Sequence, residues 1–164
     1  MKIMLAVDGS PCALAAVHHA VHLIRQGLQA SLVLINVQEP PSLYEVVTVH
    51  DSEGIEQLRE DAGVDLLREA EALIDAAGVD YESEVAGGSP VNVIVELIEN
   101  YGCEALMLGA RGAGNPQASG IGSVAGQLLL LSPVPVTVAK LQPADSAFAY
   151  LPEQAQASTF AAMP

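Results

Sequence analysis

Apolar residues along the chain fall into two kinds of run, and the kinds alternate. Lys2 to Val7 (Lys-Ile-Met-Leu-Ala-Val) is a short apolar run stopped by Asp8-Gly9-Ser10-Pro11, the pattern of a strand buried on both faces. Ser10-Pro11 is a helix-start signal, since the hydroxyl can accept from a free amide of the first turn and proline has no amide to leave unpaired there. That first helix is predicted from Pro11 to about Gln26, with Gly27 ending it. Ser31 to Val37 (Ser-Leu-Val-Leu-Ile-Asn-Val) reads as a second buried strand closed by Pro40-Pro41, and residues 42 to 52, which carry no clear period, read as loop. From Glu53 to Ala77 the positions Ile55, Leu58, Ala62, Leu66, Ala70, Leu73 and Ala77 recur at three and four, the stripe of an amphipathic helix, and Gly78 ends it.

Tyr81 to Val85 alternates as a third strand, Ser89-Pro90 opens a helix lasting to about Asn100, and Gly102 breaks it. Ala105 to Leu108 is a fourth strand, a Gly-rich loop fills 109 to 121, a helix begins near Gly122, and Val134 to Ala139 is a fifth strand. Such regular alternation predicts right-handed crossovers and a mostly parallel sheet covered on both faces, an α/β doubly wound open sandwich. Beyond Gln142 the chain turns rich in Ala, Ser, Gln and Pro. Residues 1–141 are therefore expected as one domain, and 142–164 as a poorly ordered or partner-docking tail carrying Phe148, Tyr150, Leu151 and Phe160.

Composition narrows the function classes. A length of 164 residues suits one core, and 51% hydrophobic residues against 16% charged argue against wholesale disorder. A formal charge of −14 is the wrong sign for coating nucleic acid or anionic lipid, so neither is expected as a partner. Residues 112 to 139 run without a charge, yet five Gly and three Pro among them argue against a membrane span. Cys12 and Cys103 make no disulfide framework, and Asp8 follows a single short apolar run at the amino terminus, so no signal peptide and a cytoplasmic address are expected.

Charge is also uneven. Residues 53 to 104 hold 14 of the 20 carboxylates, whereas residues 105 to 141 hold none and carry only Arg111 and Lys140. The acid-free segment is where Gly109, Gly112, Gly114, Gly120, Gly122 and Gly126 cluster. A Gly-rich loop cleared of acids and followed by a helix start suits an anion, phosphate foremost, because exposed amides and the helix dipole both favour negative charge. The loop reads Gly109-Ala110-Arg111-Gly112, nine residues, then Gly122-Ser123: G-x2-G-x9-G-S directly after a strand.

With that motif the sequence resembles the universal stress protein family, in particular its ATP-binding branch. The resemblance covers roughly residues 2 to 141, from Ala-Val-Asp-Gly-Ser through Leu-Ile-Asn-Val-Gln-Glu-Pro and Leu-Met-Leu-Gly to Ser-Pro-Val-Pro-Val-Thr-Val. It implies strand order 3-2-1-4-5, in which the carboxyl ends of strands one and four flank the switch point where ligands bind. By the resemblance, Asp8 contacts the ribose and phosphate side of a nucleotide, the backbone of Val37 reads the adenine edge, and Ala6 and Leu108 line base and ribose. Gly109 and Gly112 let the backbone approach the phosphates, Gly122, Ser123 and Val124 hold the phosphate tail at a helix start, and Arg111 reads either as neutralising that tail or as an exposed solubilising arginine. ATP with Mg2+ is the implied ligand, the metal riding on the phosphates with Asp8 as a candidate protein ligand. The resemblance also implies a homodimer through the last strand, Val134, Val136 and Val138, and an unpaired apolar edge strand is itself an aggregation hazard. The chain departs from the family pattern at Asn115-Pro116, where bulkier apolar or basic residues are common, and at Ala125, Gly126 and Leu128 to Leu131, where polar or charged residues are common.

Other motifs are weaker. Gly120-Ile121-Gly122-Ser123-Val124-Ala125 spells G-x-G-x-x-A but stands a long loop after its strand, and no G-x4-G-K-S/T occurs. His18, His19 and His22 have helical spacing for a metal but with Arg25 read better as a solvent stripe, and Cys12 has no visible base partner. The expected function is a nucleotide-responsive stress-response module with at most weak ATPase activity. Its rivals are a structural or interaction dimer without nucleotide and a slow adenine-nucleotide hydrolase or transferase on the same fold.

Overall fold

A computed structural model describes residues 1–39, 52–113 and 120–141, with residues 52–59 described as backbone only. The expectations for Pro40-Pro41, for the loop before Ser52, for Asn115-Pro116 and for the tail after Leu141 lie outside these residues. Among these residues nine elements follow one another: β1 (Lys2–Ala6), α1 (Pro11–Arg25), β2 (Ser31–Gln38), α2 (Ser52–Ala77), β3 (Tyr81–Gly87), α3 (Pro90–Tyr101), β4 (Ala105–Gly109), α4 (Ser123–Leu131) and β5 (Val136–Ala139). The strands form one sheet in the order β3-β2-β1-β4-β5, and every pairing is parallel.

Alternation along the strands divides the core into two layers. Ile3, Leu5, Leu32 and Leu34 face α1 and α2, where Val17, Ala20, Leu67, Ala70 and Ile74 cover them. Met4, Val33, Ile35, Leu106 and Leu108 face α3 and α4, against Ile94, Ile98, Ala125 and Leu128. The central strands are apolar on both sides because both sides are covered. Ser10 Oγ accepts from Ala13 N at 3.1 Å, so the predicted cap of α1 forms.

Two predicted details need correction. Among the described side chains of α2 the buried stripe is Gly63, Leu67, Ala70 and Ile74: Ala70 is buried as predicted, Gly63 and Leu67 replace the predicted Ala62 and Leu66, which are exposed, and Ile55 and Leu58 lie outside the described side chains. Gly63 selects the phase, since a Cβ there would come within 2.5 Å of Val85 on β3, so the helix axis can approach the sheet only over that glycine. The last strand begins at Val136 rather than Val134. Pro135 has no amide to donate and contributes only its carbonyl, which accepts from Leu106 N at 2.9 Å, while Val134 N turns to Ser132 Oγ at 3.3 Å.

Candidate functional site

The carboxyl ends of β1 and β4 diverge where the strand order reverses, and a cavity of about 630 Å³ opens there. All ten residues singled out from the sequence line it: Ala6, Asp8, Val37, Leu108, Gly109, Arg111, Gly112, Gly122, Ser123 and Val124. Ala6, Val37 and Leu108 make an apolar wall with Ile35 and with Ile94 of α3. Opposite them stands the start of α4. Gly122 caps that helix without a side chain, so among the described residues the amides of Ser123, Val124 and Ala125 have neither an intrahelical acceptor nor a capping group.

The β1–α1 turn and the Gly-rich loop are laced together by side-chain bonds to backbone. Asp8 Oδ1 accepts from Ser10 N at 3.0 Å and Oδ2 from Ala113 N at 2.9 Å. Ser10 Oγ donates to Arg111 O at 3.1 Å, Arg111 Nε donates to Gly120 O at 3.0 Å, and Gly122 N donates to Ala110 O at 2.8 Å. Both ends of the loop are thereby held beside the cavity. Arg111 and Asp8 thus have structural partners in addition to any ligand role.

The three motif glycines differ in what requires them. A Cβ on Gly109 would lie 2.6 Å from Ala13 N and from Cys12 C, so this glycine serves the packing of β4 against the first turn of α1. A Cβ on Gly112 would lie 2.6 Å from Asp8 Oδ2. Gly122 is different. Its φ of −63° and ψ of 158° suit any residue, and the nearest atom to a Cβ there is Ala110 O at 3.4 Å, an ordinary contact. Folding alone does not demand a glycine at 122, and a side chain there would stand at the mouth of the α4 amides.

Sequence reasoning did not place Pro90 and Ile94 at the site, because Pro90 signals only a helix start, Ile94 carries no motif, and both reach the cavity only because α3 packs beside it. It also missed the bond from Ser10 to the loop, and the buried Asn36, whose signal was a lone amide inside an apolar run. Glu39 joins Asp8 at the cavity wall, so the freedom from acids belongs to the Gly-rich segment and not to the whole site. His18 and His22 lie on the exposed face of α1, and among the described residues no group of three or more His, Cys, Asp or Glu could hold a metal. Among the described residues no helix is long and apolar enough to cross a membrane.

Residues 1–140 match the model of the Universal stress protein family. The chain belongs to the universal stress protein family. It is 27% identical over 139 residues to universal stress protein MJ0531 of Methanocaldococcus jannaschii, covering 85% of this chain and 81% of that one. It is 28% identical over 150 residues to universal stress protein YxiE of Bacillus subtilis, covering 85% and 98%. Among solved structures, a universal stress protein family member from Arabidopsis thaliana with AMP bound superposes with a TM-score of 0.64 at 21% identity, covering 90% of this chain and 98% of that one. The universal stress protein from Archaeoglobus fulgidus in complex with dAMP gives a TM-score of 0.61 at 21% identity, covering 85% and 98%. Universal stress proteins related in fold to this one therefore bind adenine nucleotides, and the shared fold is the α/β sandwich described above.

Proposed function

We propose that this universal stress protein binds an adenine nucleotide, ATP with Mg2+ in particular, and acts as a nucleotide-responsive module of a stress response. The observation that carries the reading is the open start of α4. Three amides aligned with the helix dipole face a cavity whose other wall is apolar, which suits phosphate at one end and a base at the other. The cavity volume lies inside the range of small-molecule sites, and AMP and dAMP complexes of fold neighbours support the same class of ligand. The residues fit a nucleotide best at Gly122 and Ser123, with Asp8 and Arg111 beside them. Each Asp8 oxygen already accepts one amide, so Mg2+ is held chiefly by the phosphates, with Asp8 as its candidate protein ligand. We read the chain as a binding protein rather than a dedicated enzyme, with turnover of ATP at most weak.

A homodimer through β5 belongs to the same proposal. Val134, Val136 and Val138 lean on their own core, so β5 offers a partner its outer backbone edge rather than those side chains. Leu129, Leu130 and Leu131 on α4 are 45%, 86% and 58% exposed, and burying that apolar surface favours a second copy. Chromatography of nucleotide released on denaturing the purified protein tests the reading. Stoichiometric adenine nucleotide is expected, and an empty protein that also fails to take up added ATP would favour the interaction dimer without nucleotide.

A further inference from the structure

Asn36 is 1% exposed within β2. Leu32 and Leu34 of that strand face α1 and α2, and Val33, Ile35 and Val37 face α3 and α4, so alternation turns Asn36 away from the cavity that Ile35 and Val37 line. Gly63 of α2 closes over it, since a Cβ there would stand 3.0 Å from Asn36 Oδ1. Inside this cover Nδ2 donates to Val7 O at 2.7 Å, and Oδ1 accepts from Gln38 Nε2 at 2.6 Å.

The acceptor that Asn36 takes is the one the sheet would use next. The register of β1 with β2 ends at Ala6 and Ile35, and Val7 N still donates to Ile35 O at 2.8 Å. The following rung of a parallel ladder runs from Val37 N to Val7 O. Asn36 Nδ2 occupies that carbonyl instead. The backbone edge of Val37 lies on the same side as that of Ile35, and among the described residues no strand stands opposite it.

We propose that Asn36 is a positioning residue for base recognition: by holding the Val7 carbonyl from the far face of the sheet, it keeps the N–H and C=O of Val37 turned to the cavity. The inference rests on the nucleotide reading above and adds a specificity. A strand residue with both groups unpaired matches adenine, which presents an acceptor at N1 beside an amino donor. Hypoxanthine presents a donor and an acceptor in the reverse order and meets donor with donor.

The test compares the wild type with Asn36→Leu by amide hydrogen exchange and by titration with AMP, IMP and ribose 5-phosphate. In the ligand-free wild type the Val37 amide is expected to exchange much faster than that of Ile35. In Asn36→Leu the vacated carbonyl captures Val37 N, its exchange slows, and the AMP-to-IMP affinity ratio falls about 3- to 10-fold with ribose 5-phosphate unaffected. Slow Val37 exchange already in the ligand-free wild type, or an unchanged ratio in a folded variant, overturns the proposal. The wild-type exchange decides the matter even if the variant does not fold. If none of the three ligands binds the wild type, the nucleotide reading falls, while the exchange comparison still decides whether Asn36 holds that edge open.

Discussion

The two ends of the sheet use polar side chains in opposite ways. At the amino end they pair with one another. Lys2 Nζ meets Glu82 Oε1 at 2.9 Å and lies 5.7 Å from the centre of the Tyr101 ring, and Tyr101 donates to Glu84 at 2.5 Å. At the carboxyl end Asp8, Ser10, Asn36 and Arg111 bond to backbone, and what they shape is a cavity bordered by a helix start with no side-chain cap. The first arrangement closes its end of the sandwich. The second fixes loops while leaving amides open, which is how a doubly wound sheet binds a ligand where its strand order reverses.

The sharpest way to break the contrast is at Gly109, which lies at the open end but serves packing. Gly109→Ala drives a Cβ into the backbone of α1 and is expected to cost about 2–3 kcal/mol of stability in urea unfolding. A loss under about 0.5 kcal/mol would mean that α1 shifts freely away from β4. Asp8→Ala comes next. It removes the acceptor of two amides, an expected loss of about 1–2 kcal/mol. Nucleotide affinity should fall further than stability does, and intact affinity in a destabilised variant would leave Asp8 with a purely structural task.

The smallest effect belongs to the closed end. The Glu84 hydrogen bond and burial push the Tyr101 hydroxyl up to about 12 from an ordinary 10.0. A raised value means the folded state holds this proton more tightly than the unfolded chain, so its contribution is present below pH 10 and is lost between pH 10 and about 12. Tyr101→Phe should flatten the decline of stability in that window and leave nucleotide affinity alone. An unchanged slope would show that the pairing with Glu84 is not made in solution.

Much of this was legible before the structure because local chemistry and global topology agree. Ser10-Pro11 and Ser89-Pro90 start helices where predicted, and Gly102, at a left-handed φ of 63°, ends one. The site residues could be named because a motif on consecutive elements fixes where its backbone lies once the sheet forms. The phase of α2 could not be read, since Leu66 and Leu67 are equally apolar and only the close approach at Gly63 chooses between them. Nor could the reasons for the glycines. The motif gives both Gly109 and Gly122 to the phosphates, and three-dimensional contacts assign the first to packing against α1 and leave the second without a folding requirement. Asn36 shows in the sequence only as a lone amide inside an apolar run, and its bond to Val7 is a consequence of where β1 stops.

Gly122 therefore gives the most direct test of the central claim that the open start of α4 binds phosphate. ATP would be titrated, with and without Mg2+, into the emptied wild type and into Gly122→Val, with unfolding curves recorded on both. The backbone at 122 accepts a side chain, so stability should change by no more than about 1 kcal/mol while affinity falls by about 100-fold or more. Wild-type affinity in a folded Gly122→Val protein would contradict the account and remove the α4 amides from the site.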